Sequence, residues 1–380
     1  MTGRNSIIKS LKTPIENEFF LLLRSAVFGD GYDLFGEKWT HEQIADVCDL
    51  ARKQAAEGLI IKGIFDSGLK LDRPDLIDLV GKRQSIWQGN LELDQAVANL
   101  CRMMQEAGIR IWVVKGQTLA QLYPEPKSRS CGDIDFLCHP ADWEKAVAYF
   151  TDKHHVVFDA PVTPKDEEFS IKGIKYEMHR TLVMLSSPRH QRYWDTVVMD
   201  EILASDESIE ICGVRVPVLP PTINALYVFA HIFGHFISEG IGLRQFCDWA
   251  LVLKHYENRI DVARLEAHLE GIGLKKAFIG FGAILTDYLG LPPEDFPFGI
   301  PEEFHRRAGS LWKNILELGN FGKNKKYLRS SGPIHGLQHL WRIASQALKF
   351  HYYAPTESWS KIPRMFRWWV EKVRRLVKHT

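Results

Sequence analysis

The sequence predicts a compact α/β or α+β unit set between two helical regions, and three observations support that reading. The first hundred residues are patterned as amphipathic helices. From about residue 108 to 216, short β-rich apolar runs alternate with helical segments. Helical periodicity then returns after the cluster Pro217, Pro220 and Pro221. At 380 residues the chain exceeds the size at which one core usually stops growing, so more than one subdomain is expected. The expected division is an N-terminal helical region (1–107), an α/β core (108–216), a helical domain (217–330) and a basic, aromatic tail (331–380).

Taken in order, Thr40 and Gln43 form a capping-box pattern ahead of Ile44, Val47, Leu50 and Ala51 at helical spacing. LELDQAVANLCRMMQEAG (91–108) is a second amphipathic helix, with Gly108 as its stop. IRIWVV (109–114) suits a buried strand, and DIDFLC (133–138), HHVVFD (154–159) and IKYEMHR (174–180) are further strand candidates. PADWEKAVAYFTDK (140–153) reads as a helix between the second and third of these. Beyond the prolines, residues 222–238, 243–257 and 261–273 again show helical periodicity.

Composition narrows the function classes. A formal charge of +1 argues against wholesale nucleic-acid binding, although a local basic groove remains compatible with it. Six scattered cysteines without a C-x-x-C pair read as reduced thiols of a cytoplasmic protein, not as a disulfide frame or a zinc ribbon. The amino end lacks the long apolar core of a signal peptide. No stretch of 18 uninterrupted apolar residues occurs, so no membrane span is expected.

The densest chemistry lies in VVKGQTLAQLYPEPKSRSCGDIDFL (113–137). Alternate side chains of a strand share a face, so Asp133 and Asp135 project together while Ile134 and Phe136 face the core. Adjacent carboxylates repel unless a cation or proton lies between them. Mg²⁺ is often held by one or two carboxylates plus substrate phosphates. Gly116 follows the buried strand and precedes a helix-like segment whose first amides can face an anion. Lys115 and Arg129 add positive charge suited to phosphates. In GIKYEMHRTL, the alternation puts Ile174, Tyr176 and Met178 on one face and Lys175, Glu177 and His179 on the other. Glu177 in an otherwise apolar strand is costly unless paired or ligating. Three carboxylates, a glycine turn and two cations fit metal-assisted phosphoryl or nucleotidyl transfer.

These segments resemble the bacterial uncharacterised nucleotidyltransferase family of the polymerase-β-like superfamily. The resemblance rests on Lys115-Gly116, Tyr123-Pro124, Arg129, Asp133/Asp135 and Glu177/His179, and extends through the helical segments to about residue 255. One departure is that the superfamily's usual Gly-Ser is Gly116-Gln117 here, with a somewhat long gap to Asp133. The resemblance implies an α+β fold in which a small mixed sheet carries the acidic triad between flanking helical regions. It also implies a phosphorus-group transferase that moves NMP from an NTP such as ATP to an unidentified acceptor. Asp133, Asp135 and Glu177 would be the catalytic and metal-binding residues for Mg²⁺ or Mn²⁺. Lys115, Gly116, Arg129 and His179 would contact the nucleotide.

Weaker signals stand beside these. His231 and His235 share a helix face, but the glutamate of H-E-x-x-H is missing, so they read as core histidines or cleft lining before a zinc site. Arg244 and Asp248 read as an i, i+4 salt bridge. His154-His155 caps a loop. The tail carries Lys361, Arg364, Arg367, Lys372, Arg374, Arg375 and Lys378 around Phe366, Trp368 and Trp369, which suits a solvated helix or contact with an anionic surface. Two other functions fit the same residues: a D-x-D metal-dependent glycosyltransferase and a catalytically idle binding scaffold with the same fold.

Overall fold

A computed structural model describes residues 14–158, 165–238, 240–320, 344–345, 347–348 and 350–359. The basic tail from Lys361 onward lies outside them, as does the extreme amino end. The fold is α+β, with a small mixed sheet among helices.

The first helices are α1 (Pro14–Phe28), α2 (His41–Lys53), α3 (Glu57–Asp66) and α4 (Arg73–Glu106). The capping box of α2 forms as expected: Thr40 Oγ1 accepts from the Gln43 amide, and the Gln43 side chain accepts from the Thr40 amide at 2.8 Å. The helix expected from Leu91 starts 18 residues earlier and is 34 residues long. Its first half exposes Ile77 and Val80 and therefore lacks the one-sided apolar stripe that marks a buried helix.

The sheet contains β1 (Ile111–Val114), β2 (Asp133–Cys138), β3 (Asp166–Ile171) and β4 (Ile174–His179), in the order β1-β2-β4-β3. β2 and β4 run parallel, and the two outer pairs are antiparallel. The expected strand at 154–159 is corrected. α6 (Trp143–His154) runs into that segment, His155 closes it in the left-handed conformation at φ 54°, and residues 156–158 are irregular. The strand is instead Asp166–Ile171, whose acidic start suits a solvated sheet edge. A separate hairpin pairs β5 (Ser208–Ile211) with β6 (Val214–Pro217).

Beyond the prolines come α9 (Pro221–Ser238), α10 (Leu243–His255), α11 (Val262–Gly271), α12 (Lys275–Ile284) and α13 (Glu302–Leu318); the short helices α5, α7 and α8 span Gly116–Ala120, Pro188–Tyr193 and Met199–Leu203. Helices from both sides of the sheet in sequence share one hydrophobic cluster, in which Phe19 and Ile60 join Phe229, Trp249 and Phe281. A second cluster lies on the other sheet face, where Ile134, Phe136, Tyr176 and Met178 meet α4 and Phe150 of α6. The alternation along β2 and β4 therefore works as a sorting device. Apolar residues go to the small core, and the carboxylates face α9 and α10.

Candidate active site

The parallel β2–β4 ladder places Asp135 directly opposite Glu177, and Asp133 opposite Lys175. A one-residue slip in either strand would turn these carboxylates into the small core, so the apolar partners of the ladder fix the site's register. Asp135 is nearly fully buried. One of its oxygens, Oδ1, lies 2.9 Å from Lys115 Nζ and 2.9 Å from His179 Nε2. His179 Nε2 is also 3.7 Å from a Glu177 oxygen. Potential ligand atoms of Asp135, Glu177 and His179 all lie within 4.8 Å of one another. Asp133 is not part of that group, so of the three expected carboxylates two are gathered there, with His179 beside them.

The electrostatics differ sharply between neighbours. Burial alone would raise the Asp135 pKa, but Lys115 and His179 outweigh it and hold the carboxyl well below the usual range. Glu177 goes the other way: burial, then the charge of Asp135, pushes it up to about 8. Asp133 is also raised, by burial and by Asp135. Burial would lower Lys115, but the Asp135 charge reverses this and raises it. At neutral pH the cation-free cluster thus holds one firmly ionised carboxylate, clamped by a lysine, beside a glutamic acid that keeps its proton.

The Lys-Gly turn supplies that lysine. Lys115 adopts φ 53°, ψ −144°, which is strained for a residue with a Cβ, and Gly116 follows at φ 42°. The reversal ends β1 and directs the lysine toward Asp135 and the ring of Tyr227 on α9, 6.0 Å from its nitrogen. α5 is only five residues long, which limits its value as an anion-binding dipole. Gln117 is buried and donates to Asp94 Oδ1 and the Asn90 carbonyl, so it ties the turn to α4. The long gap to Asp133 is likewise structured. Glu125 pairs with Arg83 at 2.9 Å, Asn90 donates to the Lys127 carbonyl at 2.9 Å, and the Tyr123 hydroxyl donates to Asp248 at 2.7 Å.

Arg129 lines the cavity, and both it and His179 are already paired with carboxylates. Arg129 is buried and forms a fork with both Asp248 oxygens, at 2.6 and 2.7 Å. Its charge is already matched in the cavity wall. His179 is fully buried behind the carboxylates, where it orients Asp135. The expected Arg244–Asp248 helix pair is corrected for the same reason: Asp248 is occupied by Arg129 and Tyr123, while Arg244 Nη1 donates to the Ser130 carbonyl.

These groups surround a cavity of about 300 Å³ bounded by the sheet, the Lys-Gly turn, α9 and α10. Lys115, Gly116, Asp133, Asp135 and Glu177 line it, as do His231, His235, Arg244 and Gln245 from the helical wall. His231 is kept neutral, its pKa driven well down by burial and by Lys115. Lys165 and Asp166 also line the cavity and were not anticipated; they lie where the strand signal was weakest.

Lys115 thus occupies the same carboxylate oxygen a divalent cation would need. Replacing it by methionine is expected to tighten Mn²⁺ binding in the absence of nucleotide, by tenfold or more for a lost competing charge-assisted contact worth ~1.5–3 kcal/mol. Calorimetric titration with Mn²⁺ checks this, and unchanged Mn²⁺ affinity would show that the lysine and the cation do not compete.

Comparison with known proteins gives a family match. Residues 40–290 match the model of the family described as uncharacterised nucleotidyltransferase. A search of curated proteins returns no match. Among solved structures, the chain is similar to an antigenic nucleotidyltransferase-like protein from Paracoccidioides brasiliensis, at 13% identity and a TM-score of 0.34, covering 53% of this chain and 93% of that one. With the family match spanning well over half its length, the chain belongs to the uncharacterised nucleotidyltransferase family.

Proposed function

We propose that this member of the uncharacterised nucleotidyltransferase family is a metal-dependent enzyme that transfers NMP from an NTP to an acceptor nucleophile. One observation carries the reading: Asp135 and Glu177 stand side by side on parallel strands, with Asp133 on the same face, at a cavity also lined by Lys115, Lys165 and Arg244. Acidic groups gathered beside cations suit a ligand that brings both a divalent ion and phosphates.

The residues fit a divalent cation. The pKa values of Glu177 and Asp133 are both raised, by burial first and then by the charge of Asp135, and a bound cation would offset that repulsion. The donor set is oxygen-rich, matching Mg²⁺ or Mn²⁺, and His179 supports Asp135 through a hydrogen bond. Asp133, Asp135 and Glu177 would hold the ion, which when bound would neutralise the triphosphate and the charge developing on the attacking and leaving oxygens.

The remaining roles belong to the chain. Lys115, released from Asp135, turns to a phosphate oxygen within the reach of its side chain. Glu177, which would lose its proton once a bound cation offset the charge of Asp135, would then accept the proton of the attacking hydroxyl. The Arg129–Asp248–Tyr123 group fixes the loop before β2 against α10, so the aspartates keep their position relative to the helical wall.

Two measurements test the proposal. Mg²⁺ or Mn²⁺ together with an NTP should raise the melting temperature, by the equivalent of about 2.7 kcal/mol at 100 times Kd. Incubation with labelled NTPs, the metal and a cell extract should label an acceptor. No thermal shift with any of the four NTPs, together with no labelled product, would overturn the assignment.

A further inference from the structure

Two side-chain atoms lining the cavity are buried without a hydrogen-bond partner, and they belong to consecutive residues. Arg244 Nε, a cationic donor, and Gln245 Oε1, an acceptor, both lie on the first turn of α10, opposite the carboxylate face of the sheet. Their other ends are secured. Arg244 Nη1 donates to the Ser130 carbonyl, and Gln245 Nε2 donates to Asn320 Oδ1 at 3.2 Å. The side chains are therefore held in place while one polar atom of each is left over. Backbone amides of the same turn are satisfied from elsewhere, since Leu243 N donates to Gln54 Oε1 at 3.2 Å. Buried polar groups are nearly always paired within a folded protein, and an orphan at a cavity wall marks a place where a ligand supplies the partner.

We propose that the first turn of α10 is a substrate-reading edge of the nucleotide site. Arg244 Nε donates to a phosphate oxygen, and Gln245 Oε1 accepts from an N–H or O–H on the nucleoside part of the same ligand. The inference rests on the nucleotidyltransferase reading and deepens it. The phosphate contact moves from Arg129, matched by Asp248, to Arg244, whose charge lowers the Asp133 pKa. Gln245 is 7% exposed, so its acceptor has little access to bulk water and discriminates against ligands lacking a donor.

The test is equilibrium binding of inorganic tripolyphosphate and of each of the four NTPs, with Mg²⁺ present, to the parent protein, Arg244→Lys and Gln245→Leu. Arg244→Lys keeps the charge and can still reach the Ser130 carbonyl, but it lacks the Nε donor. It is expected to lose about tenfold or more in affinity for tripolyphosphate and NTPs alike. Gln245→Leu should leave tripolyphosphate binding unchanged and lose a similar factor for the preferred NTP. Melting curves of the ligand-free variants, matching the parent, keep a folding defect from imitating either result. Parent-like tripolyphosphate affinity in Arg244→Lys, or parent-like NTP affinity in Gln245→Leu, would overturn the reading edge while leaving nucleotidyl transfer standing. A parent protein that binds no NTP would overturn both.

Discussion

Asp135→Asn is expected to abolish divalent-cation binding and to destabilise the cation-free protein by about 3–5 kcal/mol, the usual cost of removing one partner from a buried ion pair. Asp135 is the anchor of the buried network, taking Lys115 and His179 on a single oxygen. Its asparagine replacement has the right size but leaves Lys115 buried without a counter-charge. Asp133→Asn should behave oppositely. Asp133 is partly exposed and its pKa is raised by burial and by repulsion from Asp135, so neutralising it removes a strain and leaves stability unchanged or higher. Both variants should lose metal-dependent stabilisation. Urea unfolding and Mn²⁺ titration of the two single variants check the contrast. Equal stability losses would mean that the lysine clamp contributes nothing, and full Mn²⁺ affinity in Asp135→Asn would remove this carboxylate from the metal site.

That asymmetry could not be read from the D-x-D motif, in which the two aspartates are equivalent by spacing. What the motif does encode is the shared face, because a period of two is dictated by the strand itself. Ile134, Phe136, Tyr176 and Met178 were legible as core by the same rule, and with them the side on which Glu177 emerges. β3 was not legible, because an edge strand opening with Asp166, Glu167 and Glu168 carries no apolar signal. The apolar run at Val156 and Val157 had that signal but lies at a helix end, where Val157 is 85% exposed.

Partner choice was harder still. Arg129 and Asp248 are 119 residues apart, and nothing local reveals that the fold brings them together. The i, i+4 rule offered Asp248 to Arg244, and tertiary packing assigned it elsewhere. The cavity's helical wall belongs to the same class of information. His231, His235 and Gln245 acquire meaning only once α9 and α10 pack over the carboxylate face. The acidic strands were legible because their alternation is local, whereas the partners of Tyr123 and Arg129 depend on long-range contacts.

Glu177→Gln is expected to preserve Mg²⁺-NTP binding, supported by the two aspartates, and to lose most transfer activity, by about 10²–10⁴-fold if Glu177 serves as the general base. A loss in kcat without a matching loss in binding marks a role in the transition state. An independent readout comes from the pH dependence of stability in the cation-free protein. Glu177 titrates near 8 when folded, against an ordinary value of 4.5. Between those values the folded state holds a proton that the unfolded state has released. Stability must therefore fall as pH rises through that window, by up to about 1.4 kcal/mol per unit. Asp135 does not cancel this slope, since its depressed pKa confines its effect to more acidic conditions. The glutamine variant carries no titrating proton, so its stability should be flatter between pH 5 and 8 by roughly that slope and should exceed the parent's at the alkaline end. Denaturant unfolding at a series of pH values in EDTA measures it. A parent and variant with parallel profiles would show that Glu177 ionises normally, and with it would go the physical basis for its use as a base at neutral pH.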